Sequence, residues 1–362
     1  MLLKQHGRSY PLKDDYPTEM SGYMKNDLVI VDDKSIASTL LNKGNFGTST
    51  MGGGSELTMV EAAYLLEMGR LQVRRSRKGR PADLPFLLRR GMSKDERFME
   101  NFLVFRDLRN RGLIVKGGEH GCFSAYPRGK RPGTGSADSW LRVYREDDRV
   151  SPNELWLEAR KRYNMKMRSV AAVVDSDWDI TYYQVKNALE ERGQVISDAG
   201  EGGPELPPGT ERIKMTHGGA FLHEGDVGSM HEKWFIGTRL GGGLLVSPEE
   251  DVILSREDGE EPPGTFGIYR DLRSRGWLVR TGFKYGAHFR VYSDRGLEEH
   301  SRFLVHCVRE DDAFSWEELS RPLRLGHSVR KRFLFGFHPT GLTEPHHRGD
   351  GPVYLEMEWY RP

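Results

Sequence analysis

Three polar side chains in the last third of the chain differ in type and could divide a proton-transfer reaction between them. They are the phenol of Tyr292, the imidazole of His300 and the ammonium of Lys331, at spacings of 8 and 31 residues. An imidazole with an ordinary pKa of about 6.5 exchanges protons near neutrality, and an ammonium offsets anionic charge as it develops. A phenol titrates near about 10, so to act as a base at pH 7 it needs a cation beside it. Lys331 and Arg330 are the candidates for that cation. Taken singly, the three also fit a structural reading: Tyr292 ends a strand, His300 caps a loop, and Lys331 complements the carbonyl end of a helix.

Other chemistries are less well supplied. A metal-dependent nuclease needs clustered carboxylates, commonly with a Glu-x-Lys arrangement, and no Glu-x-Lys occurs in the chain. His346, His347 and Asp350 sit in a Gly/Pro-rich stretch where adjacent imidazoles point apart, so an exposed turn is the expectation. Gly52–Gly54 and Gly241–Gly243 lack the following Gly-Lys-Ser/Thr of a phosphate loop and read as tight turns. The cysteines, Cys122 and Cys307, are too few for a disulfide framework or a four-thiolate zinc site and read as buried small hydrophobes. Neither a metal nor a cofactor is expected.

The elements that must position these residues emerge when the chain is compared with itself. Arg106-Asp107-Leu108-Arg109-Asn110-Arg111-Gly112 returns as Arg270-Asp271-Leu272-Arg273-Ser274-Arg275-Gly276, an offset of 164. Arg145-Glu146-Asp147-Asp148 and Ser151-x-x-Glu154 return at the same offset as Arg309-Glu310-Asp311-Asp312 and Ser315-x-x-Glu318. Upstream, Gly47-Thr48 and Gly237-Thr238 pair at an offset of 190, which leaves the basic run Arg74–Arg80 within an insertion of the first copy, expected as a solvated loop. In this frame His300 falls on Ser136, Lys331 on Met167, and Tyr292 on Tyr126 after a two-residue slip. The expected seam is Ile196 to Thr210, rich in Gly, Pro and acidic residues.

Helical spacing over Phe102–Arg111 and Phe266–Arg275 stops at Gly112 and Gly276. Trp277–Arg280, His288–Tyr292 and Phe303–Val308 read as strands, and Ser315 to Glu318 as a capping box opening a helix to about Lys331, kinked or shortened by Pro322. A strand then begins at Phe333. The fold class is α/β in the mixed α+β sense.

Length and composition agree. At 362 residues, two or more domains are the default, and 37% hydrophobic with 30% charged residues excludes a disordered or fibrous chain. No apolar run approaches the ~18 residues of a membrane span, and the first residues are too polar for a signal peptide, so a cytoplasmic location without membrane partners is expected. The net charge of +1 announces no nucleic-acid partner by itself, but Lys and Arg outnumber Asp and Glu between Arg270 and Arg332.

The segment from Tyr269 to Lys331 resembles the catalytic domain of the tRNA-splicing endonucleases. The residues that carry the resemblance are Tyr269-Arg270-Asp271-Leu272-Arg273, Gly282-Phe283-Lys284-Tyr285-Gly286, Phe289-Arg290-Val291-Tyr292, His300-Ser301-x-Phe303-Leu304-Val305 and His327-Ser328-Val329-Arg330-Lys331. The match is strong over the last hundred residues and weaker over the first half, as in the archaeal form that carries two repeats in one chain and pairs with itself. It implies a tandem duplication, each half a small N-terminal α/β subdomain followed by a restriction-endonuclease-like domain with a mixed central sheet. The boundaries would be 1–85, 86–190 (pseudo-catalytic), 191–262 and 263–362 (catalytic). It implies metal-independent cleavage of precursor tRNA at bulge-helix-bulge junctions, with Tyr292 as base, His300 as acid and Lys331 as stabiliser. It further implies that Arg324 and Arg361 sandwich a bulge base, that Asp175, Asp177 and Asp179 form a loop docking on the partner of a homodimer, and that the products are a 2′,3′-cyclic phosphate and a 5′-hydroxyl. A non-catalytic RNA-binding or structural subunit with the same fold is the alternative reading.

Overall fold

The computed structural model describes residues 20–117, 121–188, 191–193, 204–255, 264–293, 301–339 and 351–362. His300, the His346-His347-Asp350 group and most of the expected seam lie outside the described residues. The described residues form two compact units. One runs up to Asp148 and adds Glu158–Val185 and Trp359–Pro362; the other comprises Arg149–Leu157 and Lys186–Glu358. Both mix α and β structure, with parallel and antiparallel strand pairs.

The first part of the chain contains β1 (Ser21–Lys25), β2 (Leu28–Val31), α1 (Lys34–Thr39), β3 (Thr48–Ser49), β4 (Ser55–Thr58), α2 (Met59–Glu67), β5 (Gln72–Arg74), β6 (Pro81–Ala82) and α3 (Leu84–Met92). Its sheet has the order β3-β4-β2-β1-β5-β6. The basic run, expected as a solvated loop, is the exposed tip of an ordered hairpin: β5 joins the sheet parallel to β1, and Arg75 N–H donates to the Arg80 carbonyl at 2.9 Å. Val73 and Ala82 explain the order, because both are buried in the core behind the run.

There follow α4 (Phe98–Asn110), β7 (Ile114–Gly117), β8 (Cys122–Tyr126), β9 (Ser139–Arg145), β10 (Arg149–Val150), α5 (Pro152–Asn164), β11 (Arg168–Val174) and β12 (Ile180–Asn187). β9 and β11 are parallel, and β7–β8, β8–β9 and β11–β12 are antiparallel.

The second unit opens with β13 (Glu211–Lys214), β14 (Ala220–His223), α6 (Val227–Trp234), β15 (Thr238–Leu240), β16 (Gly243–Val246) and α7 (Pro248–Ser255), with sheet order β13-β14-β16-β15. Next come α8 (Phe266–Ser274), β17 (Leu278–Thr281), β18 (Phe289–Tyr292), β19 (Phe303–Cys307), β20 (Phe314–Ser315), α9 (Trp316–Ser328), β21 (Arg332–Phe337) and β22 (Val353–Trp359). The order β17-β18-β19-β21-β22 is antiparallel except for the β19–β21 pair.

The repeated motif turns out to be a folding device. In α4 and α8 its aspartate faces a tyrosine on a distant strand: Tyr182 donates to Asp107 at 2.7 Å and Tyr354 to Asp271 at 2.7 Å. Burial pushes both phenols well above their usual pKa, so they stay protonated donors. The last arginine of each motif pairs with the same aspartate, Arg111 with Asp107 and Arg275 with Asp271, both at 2.7 Å. The middle arginine reaches a carbonyl left over at the end of a helical segment, Arg109 to Gly44 and Arg273 to Trp234. Gly112 and Gly276 then supply φ values of 85° and 84°, which a Cβ would strain.

A second device repeats beside it. Glu61 closes the capping box of α2 and accepts Gly47 N–H at 2.9 Å, with Lys116 Nζ 3.6 Å away; Glu250 accepts Gly237 N–H at 3.2 Å and Arg280 at 3.2 Å. Both carboxylates are almost fully buried. A buried charge is tolerable only with partners of this kind. The difference lies in the apolar packing around them. In the first unit one core runs from Met20 to Tyr182, whereas the second holds separate clusters around Leu222 and around Leu334.

Candidate nucleic-acid cleavage site

α9 carries the capping box expected at Ser315 and Glu318 and continues through Pro322, but it ends at Ser328, short of Lys331. Arg330 takes a left-handed conformation at φ 55°. Arg330 N–H then donates to His327 O at 3.1 Å and Lys331 N–H to Gly326 O at 2.9 Å, the paired bonds that close a helix C-terminus. Lys331 is thus the residue entering β21, not the last turn of a helix.

Three neighbouring strands place Tyr292 and Lys331. Val291 of β18 pairs with Phe303 of β19, which pairs with Arg332 of β21. Tyr292 follows Val291, Ser301 precedes Phe303 by two residues, and Lys331 precedes Arg332, so all three stand at one end of the same three-strand segment. Tyr292 is 7% exposed and packs with Leu278 and Phe235. Lys331 Nζ donates to the carbonyl of Ser301 at 3.1 Å and lies 5.7 Å from the centre of the Tyr285 ring. His300, the residue before Ser301, lies outside the described residues.

The cation placed against Tyr292 is Arg290, which the sequence reading did not single out. Its guanidinium lies 5.9 Å from the Tyr292 ring centre and 5.9 Å from that of Tyr285, and its Nε donates to Thr281 O at 2.8 Å. The available signal was period: residues two apart on a strand share a face. Arg330 is exposed in the turn described above, and Arg332 is held by Glu356 through bonds of 2.6 and 2.5 Å. Lys331 has its pKa lowered, first by burial and then by the charge of Arg290.

Arg324 is exposed on α9, and Arg361 is exposed beyond β22, in the other unit. Asp175, Asp177 and Asp179 form the turn between β11 and β12. Asp175 Oδ1 accepts the N–H groups of Asp177 at 3.1 Å and Asp179 at 2.9 Å, leaving Asp177 and Asp179 as the exposed carboxylates. Trp178 at the tip is 53% exposed.

The cysteines are only partly buried. Burial raises the thiol of Cys122 and pushes that of Cys307 up to about 12, so neither is primed as a nucleophile. One His and carboxylate group, Glu211, His223 and Glu224, lies on the β13–β14 hairpin, on elements other than those carrying Tyr292 and Lys331.

Comparison with known proteins matches both kinds of domain. Residues 98–182 and again 265–342 match the family model described as tRNA intron endonuclease, catalytic C-terminal domain, and residues 20–88 match the tRNA intron endonuclease, N-terminal domain. A tRNA-splicing endonuclease of Methanococcoides burtonii is 27% identical over 93% of this chain and 99% of its own length. That of Methanosarcina acetivorans is 29% identical over 87% and 95%. A shorter one from Thermococcus kodakarensis is 35% identical, covering 45% of this chain and 95% of itself. With both domain types matched, and with the second catalytic-domain match spanning the strands that bring Tyr292 and Lys331 together, the chain belongs to the tRNA intron endonuclease family.

Proposed function

We propose that this protein excises introns from precursor tRNA at bulge-helix-bulge junctions, without a metal, leaving 2′,3′-cyclic phosphate and 5′-hydroxyl ends. The observation that carries the proposal is the hydrogen bond from Lys331 to Ser301, which fixes an ammonium beside the backbone that follows His300, at the strand ends that also carry Tyr292.

The chemistry follows from the side chains. Tyr292, as phenolate, takes the proton of the 2′-hydroxyl; the 2′-oxygen bonds to phosphorus as the bond to the 5′-oxygen breaks; His300 protonates that leaving oxygen. Lys331 offsets the charge that accumulates on the phosphorane. Arg290, its guanidinium 5.9 Å from the Tyr292 ring centre, places a second positive charge in the site and adds to burial in lowering the pKa of Lys331. Double-stranded RNA hides its base edges, so recognition falls to shape and to unpaired bulge bases, with Arg324 and Arg361 as the stacking pair.

We further infer a tandem duplication divided at 1–85, 86–190, 191–262 and 263–362, with restriction-endonuclease-like domains at 86–190 and 263–362. The repeated Asp–Tyr–Arg and Glu–Gly–cation devices support it. The first catalytic-type domain would lend the acidic turn at Asp175, Asp177 and Asp179 to a homodimer in the cytoplasm.

Cleavage of a bulge-helix-bulge precursor in excess EDTA is the test. Intron release with a cyclic phosphate end is expected, and a single 2′-deoxy nucleotide at the cut linkage should abolish it while leaving binding intact. Cleavage that stops in EDTA, or that continues at the deoxy site, contradicts the mechanism.

A further inference from the structure

Phe283 is 86% exposed, and one exposed apolar side chain ordinarily needs no explanation. Its setting here is unusual. Phe283, Lys284 and Tyr285 form a short 3-10 turn between β17 and β18. The turn is closed by four backbone bonds: Gly282 N–H to His288 O at 2.8 Å, Tyr285 N–H to Gly282 O at 2.8 Å, Gly286 N–H to Phe283 O at 3.1 Å and Ala287 N–H to Gly282 O at 3.3 Å. Phe283 N–H also meets Thr281 Oγ1 at 3.3 Å. The ring is therefore carried outward on a backbone held at several points.

The same turn touches the proposed reaction site. The Tyr285 ring centre is 5.7 Å from Lys331 Nζ and 5.9 Å from the Arg290 guanidinium, and Lys284 is exposed beside Phe283. An exposed ring with an exposed lysine next to it in the chain matches the two needs of single-stranded nucleic acid, a stacking face and phosphate neutralisation. The other half supplies a contrast. There the hairpin closes at Gly117 and Phe123, two residues tighter than the Thr281 and Phe289 closure, and residues 118–121 read Gly-Glu-His-Gly. The first half thus carries neither a phenylalanine nor a lysine at this point of the sequence.

We propose that Phe283 is a stacking platform for an unpaired nucleobase next to the cleaved linkage, with Lys284 holding an adjoining phosphate. The inference rests on the endonuclease reading and adds a substrate-binding residue to it.

The experiment uses the full chain and a bulge-helix-bulge RNA carrying 2-aminopurine in the bulge and a 2′-deoxy nucleotide at the cut site, beside the cleavable RNA. Phe283→Ala should weaken binding about tenfold, equivalent to about 1.4 kcal/mol and in keeping with one lost stacking contact. It should raise KM similarly, leave kcat within about twofold and remove the quenching of 2-aminopurine. Phe283→Trp should restore all three. Unchanged binding and KM in Phe283→Ala, with cleavage by the wild type intact, overturns the platform alone. Weaker binding with quenching unchanged, or a changed sedimentation coefficient in Phe283→Ala, overturns it in favour of a structural or self-association role. Wild-type protein that leaves the cleavable RNA whole removes the endonuclease reading and this inference with it.

Discussion

Met167 and Lys331 occupy the same step of the same turn. In the first half Lys166 takes the left-handed conformation at φ 58°, Lys166 N–H bonds Tyr163 O at 2.9 Å and Met167 N–H bonds Arg162 O at 2.9 Å. In the second, Arg330, His327, Lys331 and Gly326 repeat that pattern. Tyr126 and Tyr292 likewise each end the second strand of a hairpin, opposite Ile114 and Leu278. The backbone device therefore does not depend on the chemistry it presents. At these two points the halves differ in side chains: lysine against methionine, and the hairpin that carries Phe283 and Lys284 against one two residues shorter.

The largest effect should come from erasing the main difference. Lys331→Met installs the residue the first half already holds in this turn, so the chain should fold normally while single-turnover cleavage falls about 10²–10³-fold, the usual loss when one stabiliser of transition-state charge is removed. A variant with native circular dichroism and wild-type cleavage would break the comparison at its centre.

Erasing what the halves share should cost stability instead. Asp107→Asn and Asp271→Asn each weaken a buried tyrosine bond and an arginine pair, and each should lower the free energy of unfolding by about 1–3 kcal/mol. Denaturant titration of both variants checks whether the two devices are equivalent, and an effect confined to one half shows that they are not.

A smaller effect is electrostatic. Burial and Arg290 lower the pKa of Lys331, and the proposed mechanism uses its ammonium form. The alkaline fall in kcat/KM should then set in below the ordinary lysine value of about 10.4. Arg290→Gln removes one of the two causes, so that limb should move to higher pH while the overall rate drops. A profile whose alkaline limb is unmoved would separate Arg290 from Lys331.

The smallest change concerns the turns themselves. Arg330→Gly and Lys166→Gly replace side chains held in the left-handed region, and each should stabilise the chain by up to about 1 kcal/mol, read as a rise in the denaturation midpoint. Loss of activity in Arg330→Gly alone would mean that the stiff turn also aims Lys331.

Much of this was legible because it is local. Capping boxes, the glycines after α4 and α8, and the period of β17, β18 and β19 are set by residues a few positions apart, and the expected elements fall within a few residues of those observed. Two readings needed the structure to complete them. The basic run is the exposed turn that its charge suggested, but the residues flanking it, Val73 and Ala82, are anchored in a core distributed over the first unit. The helix was extended to Lys331 because the C-terminal bonds of α9 run through an arginine, where a glycine would have signalled the stop.

By itself, the sequence determined the family, the paired motifs and the residue types available for proton transfer, since these depend on identity and spacing. Only the tertiary structure decided what each one touches. It turned the most repeated motif into a buried aspartate–tyrosine latch, tied Arg332 to Glu356, and set Arg290 against Tyr292. The physical reason is that side-chain partnership is fixed by strand register and helix packing across many tens of residues, where sequence spacing carries no distance.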